Sequence, residues 1–350
     1  MKIIFIYLEV CVSRHLFSLV VNLSLIALLA ACSPSAAPAA DVSIVATNSI
    51  IADVVSQVAG GLADLEVLVL VPSGADPHAY EPSAQDVAAV ADADVVFSNG
   101  LGLEGFLEDL IANAGGDAQL VDLSEGIATI VFEEGEHHDH DEGEEHDYEE
   151  GEEHEDEHED EHEGEEGHEH DHEGPDPHVW TNPLNIVVWV EHIAEILAEV
   201  DPANADTYQA NAAAYIAELE ALDAWAVEQI GQIPVERRLL VTDHEVFGYF
   251  AERYDFEVVG AVIPGASTLS ESSAAEIAEL HELIDAHDVP AIFVGFTVNE
   301  TVAERIAEDT GAQLVPLYSE SLGEAGGPAD SYIAMFRYNI VAIVDALTVE

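Results

Sequence analysis

The sequence predicts an α/β fold with two lobes, each a parallel sheet flanked by helices, joined by a long rigid helix. In both halves of the 350-residue chain, short apolar segments alternate with helical segments, as is typical of parallel sheets with helical crossovers. A long helical region without a strand separates the two halves. Histidines and a glutamate follow the ends of several strands, and open α/β sheets bind their ligands at that edge.

The N-terminal residues predict export and a lipid anchor. Residues 16–31 are mostly apolar, follow two basic residues and end in Leu-Ala-Ala-Cys, as in a secretory signal with a small-residue cleavage site. This run is shorter than the ~20 residues that a membrane-spanning helix needs. Its ending resembles a bacterial lipobox, which implies a signal peptide at 1–31, a lipid-modified Cys32 and a tether at 32–40. An ordinary signal peptide with an incidental cysteine is the alternative.

Residues 41–183 are expected to form the first lobe. Apolar runs predict its strands at 42–46, 65–71, 94–98 and 128–132. Its helices are predicted at 50–58, 84–91 and 103–114. Ser49 and Ser83 are expected to cap the first two helices, and Gly60 with Gly61 to end the first.

Residues 184–231 are expected to be linking helices. The two helices are predicted at 185–200 and 204–230, with an Asp-Pro break between them. At 1.5 Å per residue the second helix would span about 40 Å, the width of a domain. Tyr215, Leu219 and Leu222 recur along it at helical spacing. We therefore expect a rigid strut between the lobes.

Residues 232–350 are expected to form the second lobe, which repeats the order of the first. Its strands are predicted at 239–242, 258–262, 290–294 and 314–317. Ser273 and Glu276 form a capping box for a helix that ends near His287. Another helix is predicted at 299–310.

The charge of the chain limits its partners. It carries 72 Asp and Glu against 7 Lys and Arg, for a formal net charge of −65. Nucleic-acid binding is excluded, because almost nothing basic is available to neutralise phosphates. An acidic surface attracts divalent cations. Because the only cysteine besides Cys32 lies inside the predicted signal peptide, the mature chain has no intramolecular disulfide and no cysteine-based zinc site.

Residues 133–173, called here the His/acid-rich segment, contain 10 His and 25 Asp or Glu among 41 residues. So little apolar surface cannot offset the entropy of ordering, and the segment is predicted to be disordered. Imidazoles and carboxylates coordinate metals of the zinc type. We expect weak metal binding by His137, His138, His140, His146, His154, His158, His162, His168, His170 and His172. A solvated acidic run is the alternative, but acidity alone does not require ten histidines.

Four strand ends carry candidate metal ligands. Asp-Pro-His occurs twice, with His78 after the second predicted strand and His178 after the His/acid-rich segment. Each is followed closely by an aromatic residue, and the proline before each histidine fixes the local backbone. His244 and Glu320 follow the first and last predicted strands of the second lobe. Histidines on the predicted helices, such as His281, are expected to be surface or packing residues.

These four segments resemble the metal-binding solute-binding proteins of ABC importers, the ZnuA-like and TroA-like family. The similarity extends from residue 41 to the C-terminus and includes the long central helix and the His/acid-rich insertion. It implies a metal in the cleft between the lobes, with His78 and His178 as ligands from the first lobe and His244 and Glu320 from the second. Glu320 stands where Asp is common, and the strand end at 294–296 lacks the Glu that relatives often carry.

Three imidazoles and one carboxylate suit tetrahedral Zn²⁺, whereas Mn²⁺ prefers more oxygen. Within the resemblance, a histidine at the third position accompanies zinc more often than manganese. We therefore expect a lipid-anchored monomer, in the periplasm or on the cell surface, that captures Zn²⁺ and delivers it to an ABC permease. A manganese or iron protein of the same family and a metal-buffering surface adhesin are the alternatives. A zinc hydrolase is disfavoured, because a fourth ligand from Glu320 would leave no open position for water.

Overall fold

The computed structural model describes residues 42–62, 65–131 and 174–348. These described residues belong to one compact unit, which contains both sheets. The predicted signal peptide, Cys32 and the His/acid-rich segment lie outside the described residues. Within the described ranges, no helix combines the length and apolarity needed to cross a membrane.

The first lobe is built on a four-stranded parallel sheet. Its strands are β1 (Val42–Asn48), β2 (Leu65–Val71), β3 (Val95–Ser98) and β4 (Gln119–Asp122). The helices between them are α1 (Ser49–Ala59), α2 (Ala84–Ala91) and α3 (Leu107–Ala114). The strand order is β2-β1-β3-β4, with every pair parallel. The central strand β1 is buried at all positions but one, as expected of a strand covered on both faces.

Two helices without an intervening strand follow, α4 (Pro183–Val200) and α5 (Ala205–Ile230). The Asp201 carboxylate joins them, because it accepts hydrogen bonds from the Asn204 amide (2.6 Å) and the Tyr208 hydroxyl (2.8 Å). Helix α5 has 26 residues, which corresponds to about 39 Å. The long linking helix predicted from the sequence is therefore present.

The second lobe repeats the first. Its strands are β5 (Leu239–Thr242), β6 (Glu257–Ala261), β7 (Ala291–Gly295) and β8 (Gln313–Leu317). Its helices are α6 (Gly248–Tyr254), α7 (Ala274–His287), α8 (Thr301–Thr310) and α9 (Tyr332–Thr348). The strand order β6-β5-β7-β8 is again entirely parallel. The predicted fold class is confirmed, and each sheet reverses its strand order between two central strands, where ligand-binding loops meet.

Several predicted elements differ from the structure. The strand predicted at 128–132 is wrong, because the described part of this run forms only an isolated bridge between Val131 and Pro175. The last strand of the first sheet is β4, whose residues are mostly exposed, so it has no buried apolar run to reveal it. Asn48 rather than Ser49 caps α1, and α3 begins four residues later than predicted. Helices α6 and α9 were not predicted.

A partly buried ion pair fixes α5 to the second lobe. The Asp223 carboxylate accepts hydrogen bonds from Arg253 Nε (2.9 Å) and Nη2 (2.6 Å). It also accepts one from the Tyr254 hydroxyl at 3.0 Å. Both donors lie at the C-terminal end of α6. Three hydrogen bonds therefore hold the linking helix against the second lobe.

We expect Asp223→Ala to lower the free energy of unfolding of the metal-free protein by about 2 kcal/mol, because the Arg253 guanidinium and Tyr254 hydroxyl lose their acceptor. Urea denaturation measures this change. Arg305→Ala is the matched control, since Arg305 pairs with Asp309 on the exposed face of α8, and its effect should stay within about 0.5 kcal/mol. Equal effects of the two substitutions would contradict this account.

Candidate metal centre

Four side chains predicted as ligands come together in the structure: His78, His178, His244 and Glu320. One nitrogen or oxygen atom of each lies within 4.8 Å of the corresponding atoms of the others. The side chains of His178, His244 and Glu320 are fully buried, and that of His78 is 5% exposed. The group is therefore closed off from bulk water on nearly all sides.

Loops at the carboxyl ends of strands supply three of these side chains, and the segment that begins at residue 174 supplies His178. His78 lies in the loop after β2, and His178 directly precedes a short 3₁₀ helix, Val179–Thr181. His244 lies two residues beyond β5, and Glu320 lies three residues beyond β8. Two donors come from each lobe, so the group lies between the lobes.

The spacing of the donor atoms fits a single bound ion. The Nε2 atoms of His78 and His178 are 3.2 Å apart, and His244 Nε2 lies 3.0 Å from Glu320 Oε1. Glu320 Oε1 is 3.4 Å from His178 Nε2, and Glu320 Oε2 is 3.7 Å from His78 Nε2. Ligands of a tetrahedral zinc ion at ~2.0–2.1 Å would be about 3.3 Å from one another. Among the described residues, Glu320 Oε2 is also buried without a hydrogen-bond partner, and a bound metal ion would satisfy it.

Two aspartates orient two of the histidines. Asp176 Oδ1 lies 2.7 Å from His178 Nδ1, and Asp243 Oδ1 lies 3.0 Å from His244 Nδ1. Each carboxylate also accepts the backbone N–H of its histidine. An Nδ1–H donated to a carboxylate leaves the Nε2 lone pair free for a metal. Neither aspartate was predicted to act at the site, although its position one or two residues before a candidate ligand was the available signal.

Residues at the ends of β1 and β3 hold the backbone before His178. The Asn99 side chain donates to the carbonyl oxygen of Pro177 at 2.9 Å. The Asn99 backbone N–H donates to the Glu104 carboxylate at 2.8 Å, and Thr47 Oγ1 donates to the same carboxylate at 2.5 Å. Burial raises the pKa of Glu104 even though these donors oppose the shift. Glu104 was not among the predicted site residues.

Trp180 joins the His178 segment to the Glu320 segment. Its indole N–H donates to the carbonyl oxygen of Ser319 at 2.7 Å, and its own carbonyl accepts from the Tyr332 hydroxyl at 2.8 Å. Its ring meets the imidazole of His178 edge-on, with 5.3 Å between ring centroids. Trp180 therefore supports two candidate ligands, His178 through its ring and Glu320 through the carbonyl oxygen of Ser319.

The electrostatics of the four groups are strongly coupled. Burial lowers the pKa of His78 to about 4. Burial also acts to lower the pKa of His244, but the carboxylates of Asp243 and Glu320 outweigh it and raise the value to about 10. For Glu320, burial acts to raise the pKa, yet His178 and the other two imidazoles outweigh it and lower the value to about 2. In the metal-free protein at neutral pH, Glu320 is therefore ionised and His244 carries a proton.

The strand end at 294–296 has a structural reason to lack a larger side chain. A Cβ atom on Gly295 would collide with Ser319 Oγ and would lie 3.0 Å from Asp243 Oδ2. The Gly295 N–H donates to that same Asp243 oxygen at 2.6 Å. Glycine at position 295 therefore allows its backbone to approach the Asp243 carboxylate closely. This contact fixes Asp243, which in turn orients His244.

The other histidines of the described residues lie on helices, away from the four candidate ligands. His192 lies on α4, and His281 and His287 lie on α7, outside the group of four. All ten histidines of the His/acid-rich segment lie outside the described residues, so weak metal binding by that segment stays a prediction.

Gly295→Ala should weaken metal binding by about tenfold or more, the range expected when a residue supporting a ligand is disturbed. The added methyl group displaces Asp243, which orients His244. Competition with a chromophoric chelator measures the affinity, and circular dichroism checks the fold. Gly105→Ala is the matched control, because a Cβ there meets nothing within 4 Å. Unchanged affinity in the Gly295 variant would contradict the role assigned to this approach.

Comparison with known proteins identifies the family. The family model ZnuA, "Zinc-uptake complex component A periplasmic", matches residues 44–346. The manganese-binding lipoprotein MntA of Halalkalibacterium halodurans is 32% identical over 306 residues, covering 87% of this chain and 88% of its own length. The iron ABC transporter substrate-binding lipoprotein MtsA of Streptococcus pyogenes is 33% identical over 333 residues, covering 91% of this chain and 94% of its own.

A solved structure agrees with this match. The periplasmic zinc-binding protein TroA of Treponema pallidum superposes with a TM-score of 0.72 at 29% identity. The alignment covers 87% of this chain and 99% of TroA. The chain belongs to the ZnuA/TroA family of metal-binding substrate-binding proteins of ABC transporters, which are transport components and not enzymes.

Proposed function

We propose that this protein binds one divalent metal ion with His78, His178, His244 and Glu320 and delivers it to an ABC permease. The observation that carries this proposal is the convergence of four buried donor atoms from two lobes at the spacing of ligands around one ion. The separate lobes suit release, since any movement between them separates the two pairs of ligands. We also propose that the protein acts outside the cytoplasm as a monomer, anchored by a lipid on Cys32.

The metal that we propose is Zn²⁺. Three neutral imidazoles and one carboxylate form a donor set of the kind found in tetrahedral zinc sites. The carboxylates behind His178 and His244 raise the basicity of those ligands. Four side chains complete the coordination sphere, and this argues further against a hydrolytic site, which keeps a position open for water.

A manganese or iron protein is the second candidate. MntA and MtsA, both about one-third identical to this chain, are named for manganese and iron. Both oxygens of Glu320 face imidazoles, since Oε1 lies near His178 and His244 while Oε2 lies 3.7 Å from His78. Binding through both oxygens would raise the oxygen content of the site, and this favours Mn²⁺.

The His/acid-rich segment is proposed to collect metal weakly for the cleft. Its ligands are on a chain expected to be disordered, so each bound ion must order that chain, which lowers the affinity. Its concentration of negative charge favours fast capture of cations. A surface adhesin or metal buffer is the alternative, in which the segment holds most of the metal and the cleft little.

We expect competition titrations to give one tight zinc site per chain and weaker binding of manganese. His78→Ala, His178→Ala and His244→Ala should each weaken zinc binding by more than the roughly 100-fold limit for loss of a supporting residue, because each removes a ligand. His281→Ala on α7 is the control and should bind as the wild type does. A variant without residues 133–173 should keep the tight site and lose the weak binding.

Three outcomes would contradict parts of this proposal. Wild-type affinity in any of the three ligand variants would mean that the altered histidine is not a ligand. Loss of nearly all metal on deletion of residues 133–173 would favour the metal buffer. A tighter site for manganese than for zinc would favour the second candidate.

Zinc binding near pH 7.5 should release about one proton, because the pKa of His244 is raised to about 10 in the metal-free site and its Nε2 must lose that proton to bind. Zinc affinity should consequently fall by about tenfold for each unit by which the pH lies below the pKa of His244. Calorimetry in buffers of different ionisation enthalpy counts the proton. Asp243→Asn removes the first carboxylate that raises this pKa, so proton release should decrease. Heats independent of the buffer would disprove a protonated His244.

A further inference from the structure

The two Asp-Pro-His sequences are used differently in the structure. In the second, Asp176 Oδ1 lies 2.7 Å from Nδ1 of the His178 ring and also accepts the His178 backbone N–H. In the first, Asp76 Oδ1 accepts the backbone N–H of His78 at 2.8 Å. Among the described residues, no carboxylate is bonded to the Nδ1 atom of His78. The His178 ring is thus oriented by the aspartate of its own motif, whereas the aspartate of the first motif fixes only the backbone of His78.

The second oxygen of Asp76 is bonded across the cleft. Thr268, in the loop between β6 and α7, donates its hydroxyl to Asp76 Oδ2 at 2.6 Å. The loop after β2, which carries Asp76 and His78, has another bond to the second lobe: the Gly74 N–H donates to Ser321 Oγ at 2.8 Å. Ser321 directly follows Glu320. The position of His78 therefore depends on residues of the opposite lobe.

We propose that Thr268 is a positioning residue that makes retention of the metal depend on contact between the lobes. Its hydroxyl holds Asp76, Asp76 holds the backbone of His78, and His78 completes the set of ligands. When the lobes separate, the bond between Thr268 and Asp76 breaks. The imidazole of His78, the least oriented of the three, then becomes free to leave the ion first. The inference rests on the metal site proposed above and assigns to its ligands an order of release.

The partial burial of Asp76 and Thr268 limits the expected effect on the rate of metal release. Asp76 and Thr268 are both partly exposed, so the hydrogen bond between them contributes less than one in a fully buried site. Loss of one hydrogen bond to a charged group should speed metal dissociation by about tenfold. The rate of capture should change by less than about twofold, because most differences between related complexes lie in dissociation.

The test compares metal release from the zinc-loaded full-length protein in three threonine variants. Stopped-flow transfer of zinc to a chelator should be about tenfold faster in Thr268→Val than in the wild type. Thr268→Ser keeps the hydroxyl and should restore release to within about twofold of the wild type. Thr310→Val is the matched control, because Thr310 bonds within α8, and its release rate should be unchanged. If Thr268→Val fails to fold, Thr268→Ala provides the same comparison.

A second measurement needs no metal. Amide hydrogen exchange of residues 74–80 in the metal-free protein should be faster in Thr268→Val and normal in Thr268→Ser. Release rates equal to those of the wild type in Thr268→Val, or equally raised in the Val and Ser variants, would overturn the proposal. If His78→Ala bound zinc normally, the metal site itself would be wrong and release could not depend on Thr268. The exchange result would then still report whether the hydroxyl holds this loop.

Discussion

The burial of one carboxylate among three imidazoles is the constraint on which the rest of this structure depends. Glu320 is 1% exposed, and an isolated buried charge is strongly destabilising. The charge is tolerated because His78, His178 and His244 face it within 3.7 Å. In the metal-free state, the proton on His244 supplies part of the missing positive charge, and in the metal site proposed above a divalent cation would replace that proton. The coupling that stabilises the carboxylate without a metal is the same coupling that would hold the ion.

The repeated sheet order explains how four distant residues reach one point. Both sheets have the reversal of strand order at which loops converge, and each lobe contributes its loops from that edge. Helix α5 and its bonds from Asp223 to α6 keep the second lobe in a fixed position along the linking region. Behind the ligands, Glu104 holds the His178 segment through Asn99, and Trp180 bonds it to the Glu320 segment. The geometry of the site is thus distributed over both lobes.

The sequence predicts the candidate ligands because each lies in a short motif, and three of these motifs follow a strand end. It predicts most strands, since their apolar runs are buried. It fails at 128–132, where Ile130 hydrogen-bonds Asp176 and Tyr249 instead of a sheet neighbour. The bond between Thr268 and Asp76 joins residues 192 positions apart, and no local pattern reports a contact at such a distance. The ligand motifs are local in the sequence and could be predicted. The bonds that support the ligands from the opposite lobe join distant residues and could not be predicted.

The choice of metal cannot follow from the fold, because relatives at similar identity are named for manganese, iron and zinc. It must therefore depend on the donor atoms and on how rigidly they are held. Glu320 is one methylene longer than the Asp expected from the resemblance, and its single carboxylate faces all three imidazoles. Asp176 and Asp243 hold the rings of His178 and His244. If Glu320 then binds through a single oxygen, the coordination sphere is closed and tetrahedral, and zinc accepts this geometry more readily than manganese does. Rigidity behind the ligands, and not their identity alone, then determines which ion the cleft retains.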